Sequence, residues 1–481
     1  MKNQVHLITY VDRLTDGGIK DLEDLLNNQL KDVFAGVHIL PFFHPIDGSD
    51  AGFDPIDHRV VDPRIGGWDD IKSLSKSNDI MADVIVNHMS GKSPQFLDFL
   101  EKGEQSEYRD LFLTYDKVFP NGATQEELLT VYRPRPGLPF TLLTHKDGTK
   151  KLFWTTFTSN QIDIDVDSQV GKDYLISILK QFQEVGIKMI RLDAAGYAIK
   201  VPGTSSFMIP ESFEFIEWFR KEAMDHGMEV LVEIHSYYKR QMEIASKVDW
   251  VYDFALPPLV LHAIYFKNPG FLKKWIDIRP NNAVTVLDTH DGIGVIDVGR
   301  SGNEPGFLPD EEVEKLVETM HERNNGQSQN ATGASASNLD LYQVNCTYFD
   351  ALGKNVNEYL LARAIQFFIP GIPQVYYIGL LGETNDTELL ARTNVGRDIN
   401  RHYFNQEELN EALDREVTQK LIRLIKFRNT HPAFNGKFSS SLEEGTLIME
   451  WENGQDQARL KIQFPSLEFS IEQTGEENLQ L

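Results

Sequence analysis

Eight short runs rich in β-branched and other apolar residues recur along the chain, with stretches of helical periodicity between them. The runs fall at residues 4–10, 36–43, 79–86, 188–192, 229–234, 250–254, 283–287 and 372–378. Helical spacing is read at 19–30, 68–77, 171–185, 211–225, 239–247 and 357–368. Strand followed by helix, repeated, specifies a parallel sheet covered by helices, because parallel strands need a crossover between them. Eight such strands close a barrel. The rival is an open, doubly wound sheet, which wants a G-x-G-x-x-G turn after an early strand. The chain reads V-D-R-L-T-D-G-G after its first strand, and G-x-x-x-x-G-K-[ST] is absent. The expected fold is therefore α/β, a (β/α)₈ or TIM barrel.

Two stretches break the rhythm. Residues 90–161 are rich in Gly, Pro, Lys and Thr and include Y-R-P-R-P-G-L-P-F. About 70 residues is too long for a simple loop, so an inserted domain is expected after the third strand. A second irregular region, 292–348, follows the seventh strand and carries G-A-S-A-S-N-L-D-L-Y-Q-V-N. From 434 onward, short strands (K-F-S-S, T-L-I-M-E-W, A-R-L-K-I-Q-F) alternate with polar turns, as in a small β-rich domain. The expected division is barrel segments 1–88, 166–291 and 351–433, an inserted domain 89–165, a smaller insertion 292–350 and a C-terminal β domain 434–481.

The chain has 481 residues, 47 of them Lys or Arg and 72 Asp or Glu, for a net charge of -25. Such a field repels nucleic acid and anionic membranes. It also repels a free anionic substrate unless a local basic patch reverses the sign. No apolar run approaches the ~18 residues of a membrane span. Cys346 is the single cysteine, so no intrachain disulfide forms and a reducing compartment is favoured. A small buried strand residue is the expectation for it. The first residues run almost directly into a strand with no signal-peptide pattern, so a cytoplasmic location is expected.

Barrel chemistry lies at the C-terminal ends of the strands. There the third strand ends in Asn87 and His88, the fourth in Arg191 and Asp193, the fifth in Glu233 and His235, and the seventh in Asp288, His290 and Asp291. Residues two apart on a strand share a face, so Arg191 and Asp193 point the same way. An adjacent arginine lowers a carboxyl pKa, which keeps Asp193 ionised as a nucleophile at an anomeric carbon requires. Nearby acids raise Glu233, the condition for a general acid. Asp291 is a third carboxylate, able to hold sugar hydroxyls and favour an oxocarbenium-like transition state. Paired carboxylates thus point to glycosidic-bond chemistry. Taken singly, any of these acids also reads as a helix cap, and His88 and His290 as loop histidines. Asp163, Asp165 and Asp167 share a face and read either as a cation site or as caps of the following helix. A zinc hydrolase would want H-x-H after the first strand or H-E-x-x-H; only His6 lies there and the second motif is missing. Arg133 and Arg135, with Arg397 and Arg401, suit phosphate by their fork geometry, or else make surface salt bridges.

Ten segments carry a resemblance: H-I-L-P-F-F, D-A-G-F-D-P-I-D-H, D-V-I-V-N-H, Y-R-P-R-P-G-L-P-F, I-R-L-D-A, V-E-I-H-S-Y-Y, V-Y-D-F-A-L-P-P, V-L-D-T-H-D-G-I-G-V, N-L-D-L-Y-Q-V-N and G-R-D-I-N-R-H-Y. Together they resemble the sucrose phosphorylases of the α-amylase superfamily, from near the N-terminus to about Asn435. The resemblance implies Asp193 as nucleophile, Glu233 as general acid/base and Asp291 as transition-state stabiliser. It implies that Asp50, His88, Arg191, His290 and Arg397 grip a glucosyl unit lined by Phe53 and Tyr197. Arg135, Leu341 and Tyr342 would lie on acceptor loops, with Asp340 and Gln343 facing fructose and Tyr132 at the entrance. The implied partners are sucrose, inorganic phosphate, glucose 1-phosphate and fructose, in a monomer or homodimer. No organic cofactor or metal is implied. Relatives acting on sucrose 6'-phosphate, glucosylglycerol or glucosylglycerate, a sucrose hydrolase, and a non-catalytic carbohydrate-binding protein on the same barrel are the alternatives.

Overall fold

A computed structural model describes residues 1–48, 50–134, 137–332, 343–475 and 477–481. All eight expected runs form strands: β1 (His6–Thr9), β2 (Gly36–Ile39), β3 (Asp79–Ile85), β4 (Met189–Asp193), β5 (Glu229–Val232), β6 (Trp250–Asp253), β7 (Ala283–Thr285) and β8 (Ile372–Tyr376). They close into a barrel in the order β1-β8-β7-β6-β5-β4-β3-β2. The pairing is parallel, with Leu7 opposite Val375, Arg191 opposite both Asp83 and Leu231, and Val251 opposite Ala283. Several ladders stop before the apolar run does: Val86, Ile234, Leu287 and Ile378 lie beyond the strand ends yet stay buried. Periodicity marks burial, and burial outlasts the hydrogen-bonded register.

The chain divides into two compact units. One comprises Ile39–Ile234 with Lys247–Asp249 and carries β3, β4 and β5. Within it, residues 90–161 contain the helix Pro94–Lys102, started by Ser93 Oγ accepting from Phe96 N at 3.2 Å, and a hairpin of Phe140–Thr144 with Lys150–Trp154. Leu113, Val118, Phe119, Val131 and Trp154 form a small core there. Many hairpin residues are exposed or half-buried, which is why its strands leave little periodic signal. The helix Gln169–Val185 then begins on Ser168, whose Oγ accepts from Gly171 N, and ends at Gly186 in the left-handed region at φ 83°.

A buried cation fastens the barrel strand ends to this segment. Lys200 Nζ donates to Asp163 Oδ2 at 2.8 Å, to Asn87 Oδ1 at 2.9 Å and to the Tyr197 carbonyl. Asp163 also accepts from Thr156 N at 3.0 Å. Asp163 is wholly buried, so removing its counter-charge leaves an uncompensated anion. Lys200→Met is expected to cost about 3–5 kcal/mol. Chemical denaturation followed by fluorescence checks it, and a loss below about 1 kcal/mol would contradict the assignment.

The other unit comprises Met1–His38, His235–Ser246 and Trp250–Leu481. Its C-terminal part is an antiparallel meander, β9 (Lys437–Glu443), β10 (Thr446–Asn453), β11 (Asp456–Gln463) and β12 (Glu468–Gln473). Alternate residues of the central strands, Leu447, Met449, Trp451, Ala458, Leu460 and Ile462, are buried, as expected for a sheet with one wet face. Trp451 Nε1 donates to the Phe368 carbonyl at 2.7 Å and pins the sheet to the helix Val356–Phe368. Cys346 is buried as expected, but it is not a strand residue. It lies just after the two-residue strand Gln343–Val344, where the ladder with Ile293–Gly294 has already ended. No helix among the described residues is long and apolar enough to cross a membrane.

Candidate active site

In the unit that holds β3–β5, register and alternation build a row of charges. Asp83 lies directly across from Arg191, and Asp193 follows two residues later on the same face. Arg191 Nη1 donates to Asp83 Oδ1 at 2.6 Å and to Asp193 Oδ1 at 2.7 Å. Its Nη2 stands 4.0 Å from Glu233 Oε1, and its guanidinium carbon lies 5.5 Å from the centre of the Phe53 ring. One buried guanidinium therefore organises three carboxyl groups.

The sequence led to an expectation that Arg191 lowers the Asp193 pKa and so keeps the carboxylate ionised. The structure reverses the direction of the shift. Burial, the largest effect, pushes the Asp193 carboxyl up; Arg191 pulls it down; Glu233 and Asp83 push it up again, to about 8.

Around this row lie the other expected residues of the unit. His88, just beyond β3, places Nε2 3.1 Å from the Phe53 carbonyl and 3.0 Å from the Gln161 amide. Burial lowers the His88 pKa, so the ring is neutral. The same Gln161 amide reaches Asp50 Oδ2 at 3.4 Å. Tyr197 sits in the turn after β4 among Phe157, Phe207 and Tyr132, with ring centres 5.1, 4.6 and 6.2 Å away. Tyr132, 40% exposed, stacks on Phe207 at 4.7 Å, and its N–H donates to the Ser205 carbonyl at 2.9 Å.

The other unit gathers a second charge cluster in the loop after β7. Arg397 Nη1 is 2.7 Å from Asp291 Oδ1, His290 Nε2 3.7 Å and Arg401 Nη2 3.8 Å. Burial alone would raise the Asp291 carboxyl. Arg397 foremost, with His290, Arg401 and His235, outweighs burial and holds it well below the usual carboxylate range. Asp291 is thus a fixed anion, in contrast to Asp193. Arg401 Nε also donates to the His290 carbonyl at 2.8 Å, and Asn400 Nδ2 to the Thr289 carbonyl at 2.9 Å, which fixes the loop's path. Gln343 Oε1 accepts from Gly292 N at 3.3 Å and from Arg397 Nη2 at 3.5 Å.

Arg135, Asp340, Leu341 and Tyr342 lie outside the described residues. Asp83, Phe157, Gln161 and Lys200 were missed by the sequence reading. Asp83 had a signal, being a carboxylate on the inward face of β3; the others had none, since their partners are remote in sequence.

The family profile for the α-amylase catalytic domain matches residues 23–252. The chain is 56% identical to a sucrose phosphorylase of Agrobacterium vitis, across 99% of this chain and 98% of that one. It is 56% identical to a sucrose phosphorylase of Bifidobacterium adolescentis, across 96% and 92%. Among solved structures, sucrose 6F-phosphate phosphorylase from Thermoanaerobacter thermosaccharolyticum superimposes with a TM-score of 0.92 at 38% identity, covering 100% of this chain and 97% of that one.

Proposed function

The chain belongs to the sucrose phosphorylases of the α-amylase superfamily, and from that premise we propose that its substrates are sucrose and inorganic phosphate and its products α-D-glucose 1-phosphate and fructose. The reaction is of the sucrose phosphorylase type and runs with retention. The observation that carries the residue assignment is the Asp83–Arg191–Asp193 row with Glu233 on the same guanidinium. Arg191 donates to Asp193 at 2.7 Å and stands 4.0 Å from Glu233, which supports reading Asp193 as the oriented nucleophile and Glu233 as the acid/base.

Asp193 then attacks the glucosyl carbon of sucrose as Glu233 protonates the departing fructose oxygen. A β-glucosyl ester forms on Asp193. Phosphate attacks the same carbon from the opposite face, Glu233 accepts a proton if the phosphate carries one, and the ester bond breaks. Two inversions give retention. Asp291, ionised throughout, holds ring hydroxyls and favours the positively charged transition state. Asp50, Phe53, His88, Tyr197, His290 and Arg397 hold the glucosyl unit. Arg135, in the inserted segment 89–165, draws in phosphate against the net charge of -25. Tyr132, Asp340, Leu341, Tyr342 and Gln343 shape the acceptor side.

Incubation with sucrose and phosphate is expected to yield glucose 1-phosphate. Release of glucose at a rate indifferent to phosphate would overturn the reading. Because the solved relative is named for sucrose 6F-phosphate, fructose carrying that phosphate is the competing substrate. Asp340 in N-L-D-L-Y favours a neutral fructose, and comparing the two sugars as acceptors in the reverse direction ranks them.

One further outcome follows. Arg135→Ala is expected to weaken phosphate use about 10–100-fold and to spare hydrolysis. Equal losses in both would make the arginine structural.

A further inference from the structure

His235 follows Glu233 by two residues and is held by an acid that no step above uses. Asp297, in the loop after β7, is wholly buried. Its Oδ2 lies 2.8 Å from His235 Nδ1, and its Oδ1 accepts from Ser236 N at 3.1 Å and from Gln241 Nε2 at 2.5 Å. The loop is shaped to admit this carboxylate: a Cβ at Gly294 would stand 2.0 Å from Asp297 Oδ2 and 3.1 Å from His235 Nδ1. On its face the imidazole stacks on Phe254, with ring centres 3.7 Å apart and planes 12° apart. The ring is thus fixed in both position and orientation.

A carboxylate without exposure to water favours a positively charged partner. An aromatic face beneath the ring favours the same form. The remaining charged and titratable groups around His235 do not reverse this. Asp291 is negative and shares its charge with Arg397 and Arg401. Asp288, which lines the same small cavity, is neutralised by Arg363 at 2.6 Å, and Cys346 there has its thiol pushed up by burial. Glu233, next but one along the chain, has the Arg191 guanidinium 4.0 Å from its carboxylate.

We propose that Asp297 is a positioning residue that holds His235 as an imidazolium, protonated on both nitrogens and bonded through Nδ1, so that the acceptor side carries a built-in cation favouring an anionic nucleophile over water. The proposal rests on the phosphorolytic reading above and deepens it. A cation fixed by a buried acid stays charged at neutral pH, where a free histidine has largely lost its proton.

Asp297→Asn keeps the shape and removes the charge. At about pH 7.5 it is expected to lower kcat/KM for phosphate about 10–100-fold, while hydrolysis of sucrose without phosphate changes less than about 3-fold. The phosphate deficit should shrink toward about pH 5.5, where an unassisted imidazole protonates itself. His235→Gln, which can never be charged, should show a deficit at every pH. An unchanged ratio of phosphorolysis to hydrolysis in Asp297→Asn, or equal loss of both, overturns the proposal. Nitrogen-15 NMR of the histidine-labelled protein reads the charge directly, whether or not the variant folds. Both His235 nitrogens protonated at about pH 7.5 is expected, and a neutral ring overturns the proposal. If the protein makes no glucose 1-phosphate at all, the phosphorolytic reading fails, while the NMR result still decides the state of the ring.

Discussion

Asp193→Ala is expected to lower turnover of sucrose by at least about 10⁴-fold, the scale of losing a covalent nucleophile. The fold should survive, and the reason lies in the charge row. Arg191 retains Asp83 as a partner at 2.6 Å, so deleting Asp193 leaves no unpaired buried cation. Removing one of the two interacting acids also relieves like-charge repulsion within the site. Unfolding midpoints within a few degrees of the parent, with no fructose release above background, is the expected pair of results. Near-normal phosphorolysis in the variant would overturn the nucleophile assignment. Loss of activity together with loss of folding would instead make Asp193 a structural partner of Arg191.

Glu233→Gln is expected to lower sucrose turnover about 10²–10⁴-fold, the usual contribution of general acid–base catalysis. The distinguishing result comes from changing the leaving group. Fructose departs as an alkoxide and needs a proton, whereas fluoride leaves without one. With α-glucosyl fluoride the first half-reaction should recover most of its rate in Glu233→Gln. Equal impairment with sucrose and with the fluoride would mean that Glu233 acts on binding or on the nucleophile, and the acid role would be lost.

Much of this molecule is legible in the chain before any coordinates, for physical reasons particular to each part. The eight barrel strands stand out because their apolar bodies are buried on both sides, so Ile80–Val86 or Ala283–Leu287 read as continuous runs. The acids at 193, 233 and 291 stand out because each is a polar residue just past such a run. The inserted hairpin of Phe140–Thr144 and Lys150–Trp154 does not, because much of its surface faces water and alternation is lost. Contacts between distant residues are illegible in principle from one sequence. Asp83 meets Arg191 across 108 positions, Gln161 meets His88 across 73, and His235 meets Asp297 across 62.

The charge states were the least legible. An arginine beside Asp193 in sequence argues for a low pKa, and the chain contains that arginine. It does not display the depth of burial or the second acid that Arg191 also serves, and those two push Asp193 to about 8. Asp291 is buried too, yet it goes the other way because arginines, not acids, surround it. The same side chain in the same barrel thus ends as an acid with a raised pKa in one place and a fixed anion in another, according to which neighbours register and loop paths deliver.

The most direct test of the account is to catch the glucosyl group on the chain. Glu233→Gln, loaded with α-glucosyl fluoride and quenched in acid, should gain the mass of one hexosyl unit, and peptide mapping should place it on Asp193. Adding phosphate before the quench should chase that mass into free glucose 1-phosphate if phosphate can attack without Glu233 as base. A hexosyl unit mapped to any other residue, or full turnover with Asp193 never modified, would contradict the double displacement.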